Sequence, residues 1–229
     1  MIGTPFRSCG QKNLADDGKR DWDDEIRSRL DKEYYDWKDP KQTHMVPPSF
    51  IGNDADKGKK AEEKVYNLLH ELGQENNEPM FVVHSFDFSE HIPDCGRERS
   101  WVMGESDFVV IHKTHGPVFF QVKATETGKN YKEAEKQVHK DKLAIENFFK
   151  KMVKENISTR KATEAFKNCP GFVVMPNCPR GQSVCTRDNA LYQEDCSSLE
   201  AFSRWWVEKI RRAKHPPLDQ TVFEYMVMR

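Results

Sequence analysis

Residues 104–125, GESDFVVIHKTHGPVFFQVKAT, decide how the rest of the chain is read. Two apolar runs, residues 108–111 and 118–120, are rich in β-branched and aromatic side chains and flank the polar stretch His112-Lys113-Thr114-His115-Gly116. That is the pattern of a β-hairpin. Polar side chains stand only at its outer ends: Glu105 and Asp107 before the first run, Gln121 and Lys123 after the second. Folding the hairpin brings those ends together at one edge of an apolar sheet. The spacing also sets a parity condition, because side chains alternate along a strand and directly paired residues share a face. A four-residue loop, 113–116, pairs Asp107 with Val122 and leaves Asp107 and Lys123 on opposite faces. An odd-length turn, or a bulge between Ile111 and Val118, pairs Asp107 with Gln121 or Lys123 and gathers all three. The odd-length turn or bulge is the prediction.

The whole chain has 229 residues, a mean hydropathy of -0.83 and 32% charged residues. It is long enough for one domain with extensions, and polar enough that part of it is expected to be loose. A formal net charge of -1 gives no global attraction to nucleic acid, so a basic surface must be local. Cysteines 9, 95, 169, 178, 185 and 196 form no CxxC pair, and their spacings from Cys169 onward match no zinc module. With neither a signal peptide nor an apolar 18-residue run, the chain reads as intracellular, cytoplasmic or nuclear, with reduced thiols and no membrane partner.

In chain order, residues 1–55 read as a polar, partly disordered extension with one narrow amphipathic helix marked by Ile26, Leu30 and Tyr34. That helix either docks on the main domain or stays solvated. Residues 56–215 read as the domain, and 216–229 as a tail or the start of a linker. A helix with an apolar face of Val65, Leu68, Leu69 and Leu72 opens the domain after Asp56 or Gly58, with Gly73 as its expected C-cap. Glu62 sits at the rim of that face, with Glu63 one step further round. Residues 80–83 are a strand. The polar loop that follows, with His91, Pro93, Asp94 and Cys95, has no assigned role. A long helix is expected over 131–153, on Ala134, Val138, Ile145, Phe148, Phe149 and Met152, with Gln137 bordering its apolar face. Residues 129–167 hold eleven Lys/Arg against six Asp/Glu, an excess that suits a phosphate backbone or a solvated surface. A strand over 172–175 follows, then a helix over 199–213 opened by a Ser197/Glu200 capping box. The last run, 221–228, reads as a final strand or the start of a neighbouring domain. The order is that of an α/β fold with a mixed sheet between helices.

GESDFVVI…GPVFFQVKAT, preceded by the GKKAEEKV helix, resembles the nuclease-related domain (NERD) branch of the PD-(D/E)XK nuclease superfamily. The likeness runs over roughly residues 56–175. It implies a restriction-endonuclease-like α/β fold, a mixed β-sheet sandwiched by helices with an αβββαβ core. It also implies a Mg²⁺- (or Mn²⁺-) dependent nuclease hydrolysing phosphodiester bonds, DNA favoured over RNA. By that resemblance Asp107 is the first motif acid, Gln121-Val122-Lys123 stands in the (D/E)xK place, and Glu62 is the helical acid. Metal would be held by Asp107, Glu62, Gln121 and the Val122 carbonyl. Lys123 would orient water or phosphate. Lys132, Lys136, Gln137, Lys140, Arg160 and Lys161 would contact nucleic acid. Two positions depart from the motif. Ser106 replaces the proline before the first acid, and Gln121 replaces a carboxylate with a neutral carbonyl, which lowers affinity for a hard cation. A catalytically inactive nuclease-fold module, binding nucleic acid or a protein partner, is the alternative. A homodimer or a neighbouring domain in a larger protein is the expected context.

Overall fold

The computed structural model describes residues 16–52, 56–87, 104–152, 157–167, 169–182, 187–213 and 217–228. The loop carrying His91, Pro93, Asp94 and Cys95 lies outside them, as do Cys9 and Cys185. Among the described residues the chain is mixed α/β, with one six-stranded sheet in the order β1-β2-β3-β4-β5-β6. Its strands are β1 (Thr43–Val46), β2 (Met80–Asp87), β3 (Glu105–His112), β4 (Gly116–Val122), β5 (Gly171–Val174) and β6 (Ala190–Leu191). The three central strands form an antiparallel meander, and β1, β5 and β6 add parallel neighbours at the edges.

Helices cover both faces. On one lie α2 (Lys57–Asn76) and α5 (Leu199–Trp206), the latter continuing as a π-helical turn over Val207–Arg211. Their Val65, Leu69, Leu72, Phe202 and Trp206 pack on Val82, Phe108, Val110, Phe120 and Val174. The other face carries α1 (Asp16–Glu33), α3 (Tyr131–Met152), α4 (Thr159–Phe166) and α6 (Gln220–Met228), packed on Phe81, Val109, Ile111 and Phe119. The β3 and β4 runs thus supply alternate residues to two cores, which is why they read as continuously apolar. Each fully buried aromatic or leucine contributes roughly 1.5–3 kcal/mol.

The described segments at either end are more integrated than expected. Residues 43–46, assigned to the extension, form a strand paired with β2, and Leu30 and Trp37 are buried in the core. Residues 220–228 form a helix rather than a strand, burying Val222, Phe223 and Met226. Two cap assignments also move. Asn77, at φ 51°, ends α2, while Gly73 lies inside the helix, where an added Cβ would meet Thr43 Oγ1 at 1.9 Å. The glycine lets β1 approach α2, and the asparagine takes the left-handed cap position. Ser198, not Ser197, caps α5, accepting from the Ala201 amide at 3.2 Å. Asp56 caps α2 by accepting from Gly58 N at 2.7 Å.

Candidate active site at the open end of the central hairpin

The β3–β4 register pairs His112 with Gly116, Ile111 with Pro117 and Phe108 with Phe120, leaving a three-residue turn, Lys113 to His115. The odd-length turn is present. His112 Nδ1 holds it closed by accepting the amides of Thr114 (3.1 Å) and His115 (3.2 Å). With Nδ1 accepting, the ring proton sits on Nε2 and is donated to Glu78 Oε2 at 2.9 Å. Gly116, at φ 75°, supplies the left-handed residue that closes such a turn.

Six residues away, at the open end, the register aligns Asp107 with Gln121. Asp107 Oδ2 accepts from Gln121 Nε2 and from the Val122 amide, each at 2.6 Å. Gln121 is only 5% exposed, and its Oε1 is buried with no hydrogen-bond partner. Burial drives the Asp107 carboxyl from its ordinary 3.8 up to about 7. The Val122 amide and the Lys123 ammonium oppose that rise, while Glu62 and Glu105 add to it. Lys123 lies two residues beyond Gln121 on the same strand face, its amide donating to Val174 O at 2.8 Å.

Opposite Asp107, the β2–β3 ladder is interrupted. His84 pairs with Phe108 and Phe86 with Ser106, but Ser85 between them adopts φ 54°. His84 faces α2, and Phe86 packs on Ala144 of α3, so the left-handed residue resets the alternation of β2. A strained backbone residue beside a candidate site is a feature functional sites share.

Glu62 reaches the neighbourhood from α2 as a charge that acts on Asp107. Its direct partners are Lys59 Nζ (2.7 Å) and His84 Nε2 (3.1 Å), which together outweigh the effect of burial and hold its carboxyl below the usual range. Ser85 Oγ and Glu62 both meet the same nitrogen of His84, so the three do not form a relay, which needs both ring nitrogens. Val122 meets Asp107 through its amide rather than its carbonyl. Of the residues expected to meet nucleic acid, Lys132, Lys136 and Lys140 are exposed along α3. Gln137 donates to Asp141 Oδ1 at 2.6 Å. Arg160 pairs with Glu164, and Lys161 with Asp219. The next residue back, Leu218, donates its amide to Lys113 O, which places Lys161 at the turn end of the hairpin, away from Asp107.

Asp141 is the residue that sequence reading missed. It is 1% exposed in the middle of α3, and its Oδ2 has no partner. Its signal is visible in hindsight: three residues after Val138 and four before Ile145, it occupies an apolar-stripe position with a carboxylate.

Among the described residues no group of three His, Cys, Asp or Glu side chains is arranged to hold a metal. The available hard donors are the Asp107 carboxylate and the orphaned Gln121 Oε1 on adjacent strands. Two such oxygens fit Mg²⁺, which keeps several waters and takes one or two protein ligands plus substrate phosphate. No helix among the described residues is long and apolar enough to cross a membrane. Compared with known proteins, the chain matches no family model, no curated protein and no solved structure.

Proposed function

We propose that this chain is a metal-dependent phosphodiester hydrolase acting on nucleic acid, DNA favoured, on a PD-(D/E)XK fold of the nuclease-related-domain kind. One observation carries the reading. The three-residue turn pairs Asp107 with Gln121 on the face that also holds Lys123, and the Gln121 amide that donates to Asp107 Oδ2 leaves its own Oε1 buried and unpartnered. An unsatisfied buried carbonyl is costly, and a bound cation or its water shell would satisfy it.

Asp107 and Gln121 Oε1 would hold Mg²⁺ or Mn²⁺, which when bound offsets phosphate charge and acidifies a water. The Val122 amide fixes the Asp107 carboxylate in place. Burial keeps Asp107 ready to exchange a proton near neutrality. Lys123 supplies a cation for the phosphate or the attacking water. Lys59 and His84 hold Glu62 at a fixed distance as a background anion. Exposed Lys132, Lys136 and Lys140 supply a phosphate-contacting face that reads charge rather than sequence. Buried free thiols at Cys169, Cys178 and Cys196 suit an intracellular setting.

The test is cleavage of mixed DNA and RNA substrates in Mg²⁺ and Mn²⁺. EDTA should abolish it, and folded Asp107→Ala and Lys123→Ala should each lose on the order of 10²–10³-fold in rate. Cleavage by Asp107→Ala at the wild-type rate refutes the assignment. The neutral Gln121 favours a second reading, an inactive nuclease-fold module that binds nucleic acid. Salt-dependent binding with no cleavage at any metal concentration would select it.

A further inference from the structure

Between β5 and α5 the chain carries arginines to which the chemistry above gives no role, and the fold gathers them around a cavity of about 390 Å³ at the β6 edge of the sheet. Arg187, Asp188 and Ala190 line it from the sheet side, Arg204 and Trp205 from α5. Val173 pairs with Gln121 on one side and with Ala190 on the other. Ala190 therefore stands in the same row as Gln121, two strand spacings or roughly 10 Å away. One strand of nucleic acid carries a phosphate per about 3.4 Å of rise, so that distance spans about three nucleotides.

The unmet groups of the lining are mainly donors. Three of its cations are matched within the fold: Arg180 holds Asp195 at 2.7 and 2.8 Å, Arg204 holds Glu200 at 2.6 Å, and Lys209 pairs with Glu208 at 3.2 Å. Arg187 is different. Among the described residues its guanidinium forms no ion pair, and it lies over the Tyr131 ring, 5.7 Å from the centroid. That ring is fixed in turn, its hydroxyl donating to Glu135 at 3.0 Å and meeting Asn189. A guanidinium stacked on an immobile ring loses little freedom when its fork meets an anion. Trp205 supplies a second donor: the residue is 6% exposed, and its Nε1 is buried with no hydrogen-bond partner. Of the lining acids, Glu194 and Asp195 are engaged by Arg180, and Asp188 has no ion pair among the described residues. Two unmet donors call for a ligand rich in acceptors, and a phosphate group is one. Lys132, the neighbour of Tyr131 on α3, is exposed, so Arg187 carries the basic face of that helix on to the sheet edge.

We propose that this cavity is a phosphate subsite for the nucleic-acid strand, with Arg187 binding a backbone phosphate about three nucleotides from the bond held at Asp107 and Gln121. The inference rests on the reading of that pair as a nuclease site, and it locates the strand that the site would cut.

The experiment measures binding of a fluorescein-labelled single-stranded DNA to the full chain by anisotropy, in EDTA so that nothing is cleaved, from about 50 to about 200 mM salt. Arg187→Gln should weaken binding roughly tenfold and reduce the salt slope by about 0.7, the loss of one phosphate contact on a single strand. Arg187→Lys keeps the charge without the fork, so it should restore the slope and only part of the affinity. Asp188→Asn, which removes an anion from the same cavity, should tighten binding by a few-fold. In ¹⁵N spectra the Trp205 indole signal, assigned with Trp205→Phe, should move when the DNA is added to wild type and stay in place with Arg187→Gln. If Arg187→Gln does not fold, Asp188→Asn carries the test, and unchanged binding there overturns the proposal. An Arg187→Gln chain with wild-type affinity and slope overturns it even where cleavage is normal, as does a wild type that binds no DNA at low salt. A reduced slope in Arg187→Gln, with a wild type that cleaves nothing in Mg²⁺ or Mn²⁺, supports the subsite and overturns the nuclease reading instead.

Discussion

The two ends of the central hairpin are built on opposite electrostatic principles. At the turn end, Glu78 is nearly buried, yet each of its oxygens is met: Oε2 by His112 at 2.9 Å, Oε1 by Arg211 at 2.7 and 2.9 Å. Burial works to raise this carboxyl, but His112 and Arg211 together outweigh it and hold it below its usual range. At the open end, Asp107 and Asp141 are both driven to about 7, and Gln121 Oε1 and Asp141 Oδ2 are left without partners. One end is satisfied and structural. The other keeps unspent acceptors, as a site that awaits a cation does.

The sharpest way to break the contrast is to remove Glu78. Glu78→Ala strands the buried His112, while the exposed Arg211 can turn to solvent, and should cost about 3 kcal/mol in urea unfolding, the range seen when one partner of a buried pair is lost. A loss below about 1 kcal/mol would mean that the turn-end cluster is no better bound than a surface pair.

The second test uses pH, because the two ends respond with opposite sign. A depressed folded pKa at Glu78 gives stability that is present above the ordinary glutamate range and lost as pH falls through the folded value. Asp107, raised from 3.8 to about 7, does the reverse: its native form holds the proton more tightly, and stability is lost as pH rises through that window. Asp107→Asn should therefore stabilise the protein by about 2 kcal/mol at pH 8, a value discounted for partial solvent screening, and by almost nothing near pH 4. Thermal melts across that range check it. A variant less stable than wild type at pH 8 would place Asp107 with the satisfied groups.

The third sharpens the metal-donor assignment. Gln121→Glu should bind Mg²⁺ about tenfold more tightly by calorimetry, since a carboxylate replaces a neutral carbonyl. Weaker binding would mean that Gln121 Oε1 faces away from the ion. The smallest expected effect is at Ser85. Ser85→Gly should relieve the left-handed backbone and gain up to about 1 kcal/mol, with the open end otherwise unchanged. A destabilised Ser85→Gly would show that the Ser85 hydroxyl contact with His84 outweighs the strain.

The legible parts of this fold are those where local pattern and tertiary environment agree. The hairpin, α2 and α3 announce themselves through apolar runs and helical stripes, and the parity of the odd turn follows once Asp107, Gln121 and Lys123 are required to share a face. The misread parts are those where tertiary packing decides. Residues 43–46, THMV, are too short to carry a period, and become a strand because β2 offers a parallel edge. QTVFEYMVM is apolar on nearly every side, and no periodicity separates a buried helix from a buried strand over so few residues. Asp141 was invisible for a related reason: on a helical stripe a carboxylate reads as an interruption, and only the sheet beneath it shows that it is enclosed. Likewise Arg160 and Lys161 belonged to the basic segment by composition, and only the packing of α4 carries them to the turn end.

The three-residue turn also constrains how this chain can diverge. A single insertion or deletion between His112 and Gly116 would swap the core-facing and site-facing residues of one strand against the other, exposing apolar side chains as it scatters Asp107 from Gln121 and Lys123. Changes of two residues leave both alignments intact. In descendants that retain the site, the length of this loop should drift in even steps through three, five and seven residues, so loop parity records which lineages still hold the polar end of the hairpin together.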